Sequence, residues 1–339
     1  REELRIVELD PLVELTAMDD ALTGIHAGEY RNRHPGALGQ GVRVAVLDSG
    51  VDTHHPYLRV SASESTCGEG IQLPGRHGTH CAGSICSHDP VYGGVAPEVS
   101  LLNIKVLRAN GTGQATFITK GIDRALDLEA DVLSLSLGFN HLPSWSDQGH
   151  GWSCADGACP LCMAVDNAVR LDSTVVVVAA GNEHDRAETL RGWGYGSTFD
   201  TELGCPGQAR EAITVGAVTK TTALPASFSS RGPTAYGAGK PDLVAPGVNI
   251  TSTVPVPRDT AGQPLPNPAR STLFGRESGS SMATPIVAGA AALIIAELKS
   301  GGGSSSPATV RATLLTQGVS ALGLPANVVG KGLLDLRNL

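Results

Sequence analysis

The chain has 339 residues, with 25 Lys and Arg against 33 Asp and Glu for a formal net charge of −8. It carries no dense Lys/Arg run, which excludes nucleic acid as a partner. Gly is abundant at 42 residues and aromatics make up 4%, a composition of tight turns and small-residue packing that excludes a coiled coil or a disordered tail. The length is large for one domain, yet α/β domains reach it and bury a core without a disulfide scaffold.

The first ten residues, REELRIVELD, are charged and contain no apolar signal-peptide core. The chain starts with Arg, so it reads as a processed or trimmed form, and secretion is favoured over the cytoplasm. Residues 1–40 read as an N-terminal extension and residues 41–339 as one domain. Within the extension, TAMDDALTGIHAGEY predicts a short helix, with Pro35 and Gly36 at its exit. GVRVAVLDSG at 41–50 predicts a buried strand with Asp48 at its carboxyl end.

Further apolar runs at 99–107, 130–138, 173–182 and 213–219 predict strands, and 114–128 and 163–172 have helical periodicity. This alternation specifies an α/β fold of three layers: a mostly parallel central sheet with helices on both faces. Ligands of such sheets sit at the carboxyl ends of strands, where Asp48, Gly138 and Asn182 fall. Residues 281–298 predict a buried helix, apolar almost all round, with Pro285 in its first turn. Residues 255–268 and 300–306 read as loops, and a short C-terminal helix follows Pro307. The longest apolar runs, 175–180 and 285–296, fall short of the roughly 20 residues that span a bilayer, so no transmembrane segment is expected. Nothing in the sequence sets an oligomeric state.

Three motifs combine into one chemistry: LDSGVDTHHP at 47–56, RHGTHCAG at 76–83 and GSSMATP at 279–285. Nucleophilic acyl transfer needs an activated hydroxyl, a base to take its proton and a carboxylate to orient that base. Ser281, His77 and Asp48 supply these types. Ser281 opens a helix whose unpaired N–H groups and positive dipole end favour an oxyanion. Each residue also has a plainer reading: Ser281 as a helix cap, Asp48 as a turn former, His77 as a structural histidine, Asn182 as a turn residue. His80 reads as structural beside the site, His54 and His55 as turn residues, Asp52 as a surface or loop carboxylate, and Met282 as packing beside the nucleophile.

As an ordered set the motifs closely resemble the subtilase family, in which the chain order is Asp, His, Ser. The resemblance extends to GTGQATFITKGI at 111–122, SLG at 136–138, AAGN at 179–182, SFSSRGPT at 227–234 and KPDLVAPGVNI at 240–250, from about Val42 to Leu336. It implies a serine endopeptidase acting on proteins or peptides through an acyl-enzyme, with no cofactor for catalysis. Ser281 then resembles the nucleophile, His77 the general base and acid, Asp48 the residue that orients it, and Asn182 the side-chain oxyanion donor. Gly111, Thr112 and Gly113, with Ser136, Leu137 and Gly138, resemble the two segments that bind substrate as an added strand. The family commonly binds structural Ca²⁺, with no ligands assignable in this sequence. A peptide-binding pseudoenzyme is the weaker alternative, since every catalytic position is filled. A lipase or esterase would have the order Ser, acid, His with Gly-x-Ser-x-Gly, which is absent here.

Residues 139–162 depart from the family as an insertion carrying Cys154, Cys159 and Cys162, with His150 upstream. Three readings stand: disulfides, with Cys67 or Cys205 as partners; a zinc site of His150, Cys154, Cys159 and Cys162; or unpaired thiols. A redox role for Cys159 and Cys162 lacks its context. Cys81 reads as a buried free thiol near the site, as in the proteinase K branch. Residues 183–204 are longer and more irregular than the family pattern, which leaves side-chain preference unread.

Overall fold

The computed structural model describes residues 17–139, 154, 157–196 and 199–339. Its helices are α1 (Ala17–Gly24), α2 (Ala27–Arg33), α3 (Arg76–Cys86), α4 (Ala115–Asp127), α5 (Pro160–Arg170), α6 (His184–Gly192), α7 (Ser280–Ser300), α8 (Pro307–Thr316) and α9 (Ala326–Val329). Its strands are β1 (Arg43–Asp48), β2 (Val60–Ser65), β3 (Ser100–Lys105), β4 (Val132–Leu135), β5 (Val175–Ala179), β6 (Ile213–Val218), β7 (Leu243–Pro246), β8 (Ile250–Thr253), β9 (Phe274–Glu277), β10 (Val319–Ser320) and β11 (Leu333–Leu334).

Nine strands form one sheet in the order β10-β11-β7-β6-β5-β4-β1-β3-β2. Every neighbouring pair is parallel except β10 with β11. The expected three-layer α/β architecture is therefore present. Alternate residues feed opposite faces, as the strand period of two requires. Val44, Val46, Val132, Val175, Val177 and Val215 join the core under α3 and α7, whereas Ala45, Leu47, Leu133, Leu135, Val176 and Val178 join the core under α4 and α5.

From β1 the chain goes to the β2 edge, returns through β3, and crosses to β4 on the other side of β1. The strand order thus reverses at β1, and a crevice opens at its carboxyl end. Asp48 is the last residue of that strand.

Helix α7 lies in the core. It is 21 residues long and apolar enough to cross a membrane, but 83% of its most apolar stretch is buried inside the fold. An all-round apolar helix has no solvent face to offer, so the sheet and its neighbouring helices surround it.

The single short helix expected near residues 16–30 is divided into α1 and α2. His26 adopts φ 57, in the left-handed region, at the break between them. Tyr30 is fully buried against α7 and donates to Glu297 Oε2 at 2.9 Å. The Ile25 carbonyl accepts from Leu336 N at 2.9 Å, and Arg33 caps the carbonyls of Leu336 and Leu339, both at 2.9 Å. Residues 21–37 therefore share the main core and pair with the C-terminal residues.

Candidate active site

Asp48 is fully buried, and its Oδ1 accepts from Ser49 N at 2.6 Å and Ser49 Oγ at 3.0 Å. Both of its oxygens lie 2.9 Å from His77 Nδ1. His77 stands in the first turn of α3, which docks on the end of β1 because Gly78 has no side chain. A Cβ there would meet Gly50 O at 2.7 Å and Asp48 Cβ at 3.1 Å. Ser49 Oγ also accepts from Gly78 N at 3.1 Å, so strand end and helix start share one hydrogen-bonded turn.

Burial pulls the His77 imidazolium down, but the Asp48 carboxylate outweighs it and holds the ring well above the ordinary value of 6.5. One helical turn on, Cys81 is fully buried, and burial raises its thiol above the ordinary range. Its Sγ donates to Ser281 O at 3.5 Å. It is the buried free thiol expected from the sequence.

Ser281 is the second residue of α7 and half-buried. Its Oγ donates to Ser136 O at 3.0 Å rather than to His77, and Ser136 Oγ returns a bond to Ser281 O at 2.8 Å. Asn182 follows β5 and is exposed. Its Oδ1 accepts from Ser280 N at 2.8 Å and Ser280 Oγ at 3.1 Å. These bonds use the amide oxygen and leave the NH₂ group as the donor, beside Gly279. Strand ends β1, β4 and β5 thus converge on the start of α7. Asp48, His77 and Ser136 face one crevice, to which Ser281 is tied by its bonds with Ser136 and Asn182 by its bonds with Ser280.

An open cleft of ≈ 310 Å³ borders this crevice, lined by Asp48, His77, Leu107, Gly111, Gly113, Ser136, Leu137, Gly138 and Phe139. Thr112 is not among the lining residues. Its hydroxyl turns to Asn110 Oδ1 at 2.7 Å, on the exposed side of the 111–113 turn.

Of the neighbouring residues, His80 donates from Nε2 to Ile250 O at 2.9 Å, and burial depresses its pKa to about 4. His55 bonds Leu273 O at 3.0 Å, while His54 stays exposed. Met282 is buried in the core under α7. Asp52, expected as a surface or loop carboxylate, is a loop residue but 1% exposed. Its oxygens accept from Val256 N at 2.8 Å and His54 N at 3.0 Å, so it anchors two loops from inside.

Sequence reasoning missed Lys105, whose fully buried ammonium donates to Ser49 O at 2.5 Å and pairs with Glu69 at 3.1 Å. The available signal was a charge inside an otherwise apolar strand.

Cys154, Cys159 and Cys162 are gathered by the fold, and Cys205 joins them. Their four sulfurs lie within 4.8 Å of one another. Cys67 lies elsewhere, its Sγ 3.4 Å from Leu107 O. His150 falls outside the described residues. Among the described residues, the remaining groups of three or more candidate ligand side chains are Asp48 with His77 and Cys81, and His184 with Glu188 and Glu202. Neither is built from carboxylates alone.

A sequence profile of the subtilase family matches residues 39–332. The chain belongs to the subtilase family. It is similar to the serine protease AprX of Bacillus subtilis (strain 168), 34% identical over 299 residues that cover 82% of this chain and 62% of that protein. Against Subtilisin E of the same organism, identity is 36% over 267 residues, 77% of this chain and 57% of the relative. Against the Major intracellular serine protease, also of Bacillus subtilis (strain 168), it is 34% over 308 residues, 86% and 80% of the respective chains. The chain thus spans about three fifths of the length of the first two of these relatives. Subtilases need no cofactor for catalysis. One of these relatives is named for an intracellular home, so membership of the family fits that compartment as well as the secretion favoured from the sequence.

Proposed function

We propose that the chain is a serine endopeptidase that hydrolyses peptide bonds through an acyl-enzyme on Ser281. The observation that carries this reading is the buried Asp48 carboxylate bonded to Nδ1 of His77 at the mouth of the helix that begins Ser280-Ser281. Asp48 fixes the imidazole tautomer, with Nδ1 as donor, and leaves Nε2 as the base. Rotation of the Ser281 hydroxyl from Ser136 O to Nε2 starts the reaction.

Oγ then attacks the scissile carbonyl carbon as its proton passes to Nε2. The oxyanion is met by the Asn182 NH₂ and the Ser281 N–H at the positive end of α7. His77 returns the proton to the leaving amine as the C–N bond breaks. Water, deprotonated by the same nitrogen, cleaves the ester and restores the hydroxyl. Gly111, Gly113 and residues 136–138 line the cleft and offer main-chain groups to an extended peptide, a mode that reads backbone before side chains. The substrate class is therefore polypeptide. Structural calcium, implied by the family resemblance, is a proposal with no assigned ligands.

The test is covalent labelling with a fluorophosphonate, followed by cleavage-site profiling on a peptide library. Labelling at Ser281, its loss in Ser281→Ala, and cleavage by the native protein are expected. Binding of peptides with neither labelling nor cleavage would make the protein a pseudoenzyme.

A further inference from the structure

Four of the seven cysteines have no part in the chemistry above, yet they form the densest group of potential ligands in the described molecule. Cys154 is 3% exposed, Cys159 7%, Cys162 0% and Cys205 4%. We propose that Cys154, Cys159, Cys162 and Cys205 hold one structural Zn²⁺ ion as a four-thiolate site.

Distance is the first argument. Sγ separations are 3.4 Å for Cys154 and Cys162, 3.3 Å for Cys159 and Cys205, and 3.6 Å for Cys162 and Cys205. A tetrahedral zinc with Zn–S of about 2.3 Å places its sulfurs about 3.8 Å apart. A bonded pair of sulfurs would lie at about 2.05 Å. The observed spacing is close to that of the tetrahedron. Cys162 is near both Cys154 and Cys205, so the group is one cluster rather than two isolated pairs.

Chemistry is the second argument. Four thiolates on one ion fill a tetrahedron and leave no open position, the arrangement of a structural zinc site. Zn²⁺ displaces four thiol protons to solvent, forms four Zn–S bonds and leaves the site with a charge of −2. Cys159 caps the N-terminus of α5, with Pro160 next and the Cys162 N–H donating to its sulfur at 3.5 Å. That N–H and the positive helix end both favour thiolate there.

Placement is the third argument. The four sulfurs come from the loop before α5, from α5 itself, and from the strand-like segment at Cys205. Cys205 bonds Phe139 in both directions, at 2.8 and 2.9 Å, directly beyond the cleft residues 136–138. The two segments meet closely because Gly138 lacks a Cβ, which would lie 2.9 Å from Cys205 O. A metal here locks one wall of the cleft to the helix behind it.

The test begins with the full chain, exchanged into Zn²⁺ under reducing conditions, freed of loose metal and analysed by elemental mass spectrometry. About one zinc per chain is expected, and Co²⁺ in its place should give the visible bands of a tetrahedral sulfur site. Cys205→Ser and Cys159→Ser should lose at least about nine tenths of the metal, whereas Cys67→Ser, outside the cluster, should keep it. Metal analysis needs no peptidase activity, so it stands apart from the proposed reaction. Less than about a tenth of an equivalent in the native chain would overturn the proposal, as would iron in place of zinc, disulfides among the four cysteines, or full zinc retention by Cys205→Ser.

Discussion

The proposed triad and the four-cysteine cluster are served by opposite faces of the same sheet. Asp48, His77 and Ser281 depend on α3 and α7, which cover one face, whereas the cysteines pack with α4 and α5 on the other. Residues 136–139 join the two, because Ser136 bonds Ser281 and Phe139 bonds Cys205. Both clusters hold nucleophilic atoms, and exposure separates them. The His77 side chain is 35% exposed at the cleft, while none of the four cysteines exceeds 7%. A nucleophile must be reached by its substrate. A structural ligand must be shielded from everything except its ion.

Removing the reachable nucleophile tests that contrast most severely. Ser281→Ala should lower kcat by about 10⁶-fold while leaving the thermal melt nearly unchanged. Retained turnover in steady-state assays would locate the chemistry elsewhere.

Asp48→Asn should cost about 10⁴-fold in kcat, because the imidazole loses its tautomer control. It should also move the pH profile. His77 must be neutral to act as base, and its pKa stands above 6.5 in the native protein, so kcat/KM should rise only as pH climbs through that raised value. Without the carboxylate, burial is opposed only by the neighbouring Cys81, and the acid limb should shift to lower pH. A limb that stays in place would assign the raising to another group.

Asn182→Ala is expected to lower kcat by about 100- to 1000-fold with little change in KM, since in the proposed reaction its NH₂ meets a charge formed only in the transition state. A large rise in KM at unchanged kcat would make it a substrate-binding residue instead.

The smallest effect belongs to Cys81, a buried thiol beside the reachable site. Cys81→Ala removes the hydrogen bond to Ser281 O and a long contact of 4.0 Å with His77 Nδ1, so a change of about fivefold, near 1 kcal/mol, is expected in kcat/KM. Complete inactivation would show that this thiol takes part in the reaction.

Much of the site is legible in the chain because its parts are local. Asp48 ends an apolar strand run, His77 lies in a compact motif, and Ser281 opens a helix whose all-apolar pattern declares burial. The five strands expected from apolar runs are present as β1, β3, β4, β5 and β6, each shorter than its run. Other elements left no such pattern. Strand β2 is a half-exposed edge with the polar sequence VSASES, and α3 contains two glycines and is buried along nearly its whole length, so neither shows clear periodicity.

What the sequence determined by itself was the alternation of strand and helix, the residue types at the three proposed catalytic positions, and a cysteine-rich insertion of open meaning. These follow from short-range patterns, because burial imposes a period on each element and catalysis requires particular functional groups. Tertiary structure decided the rest. It turned Ser281 onto Ser136, buried Asp52, and brought Cys205 to Cys162 across 43 positions of chain. Such meetings depend on strand order and on close backbone approach, as at Gly78 and Gly138. No local propensity carries that information, since it belongs to the packing of the whole sheet.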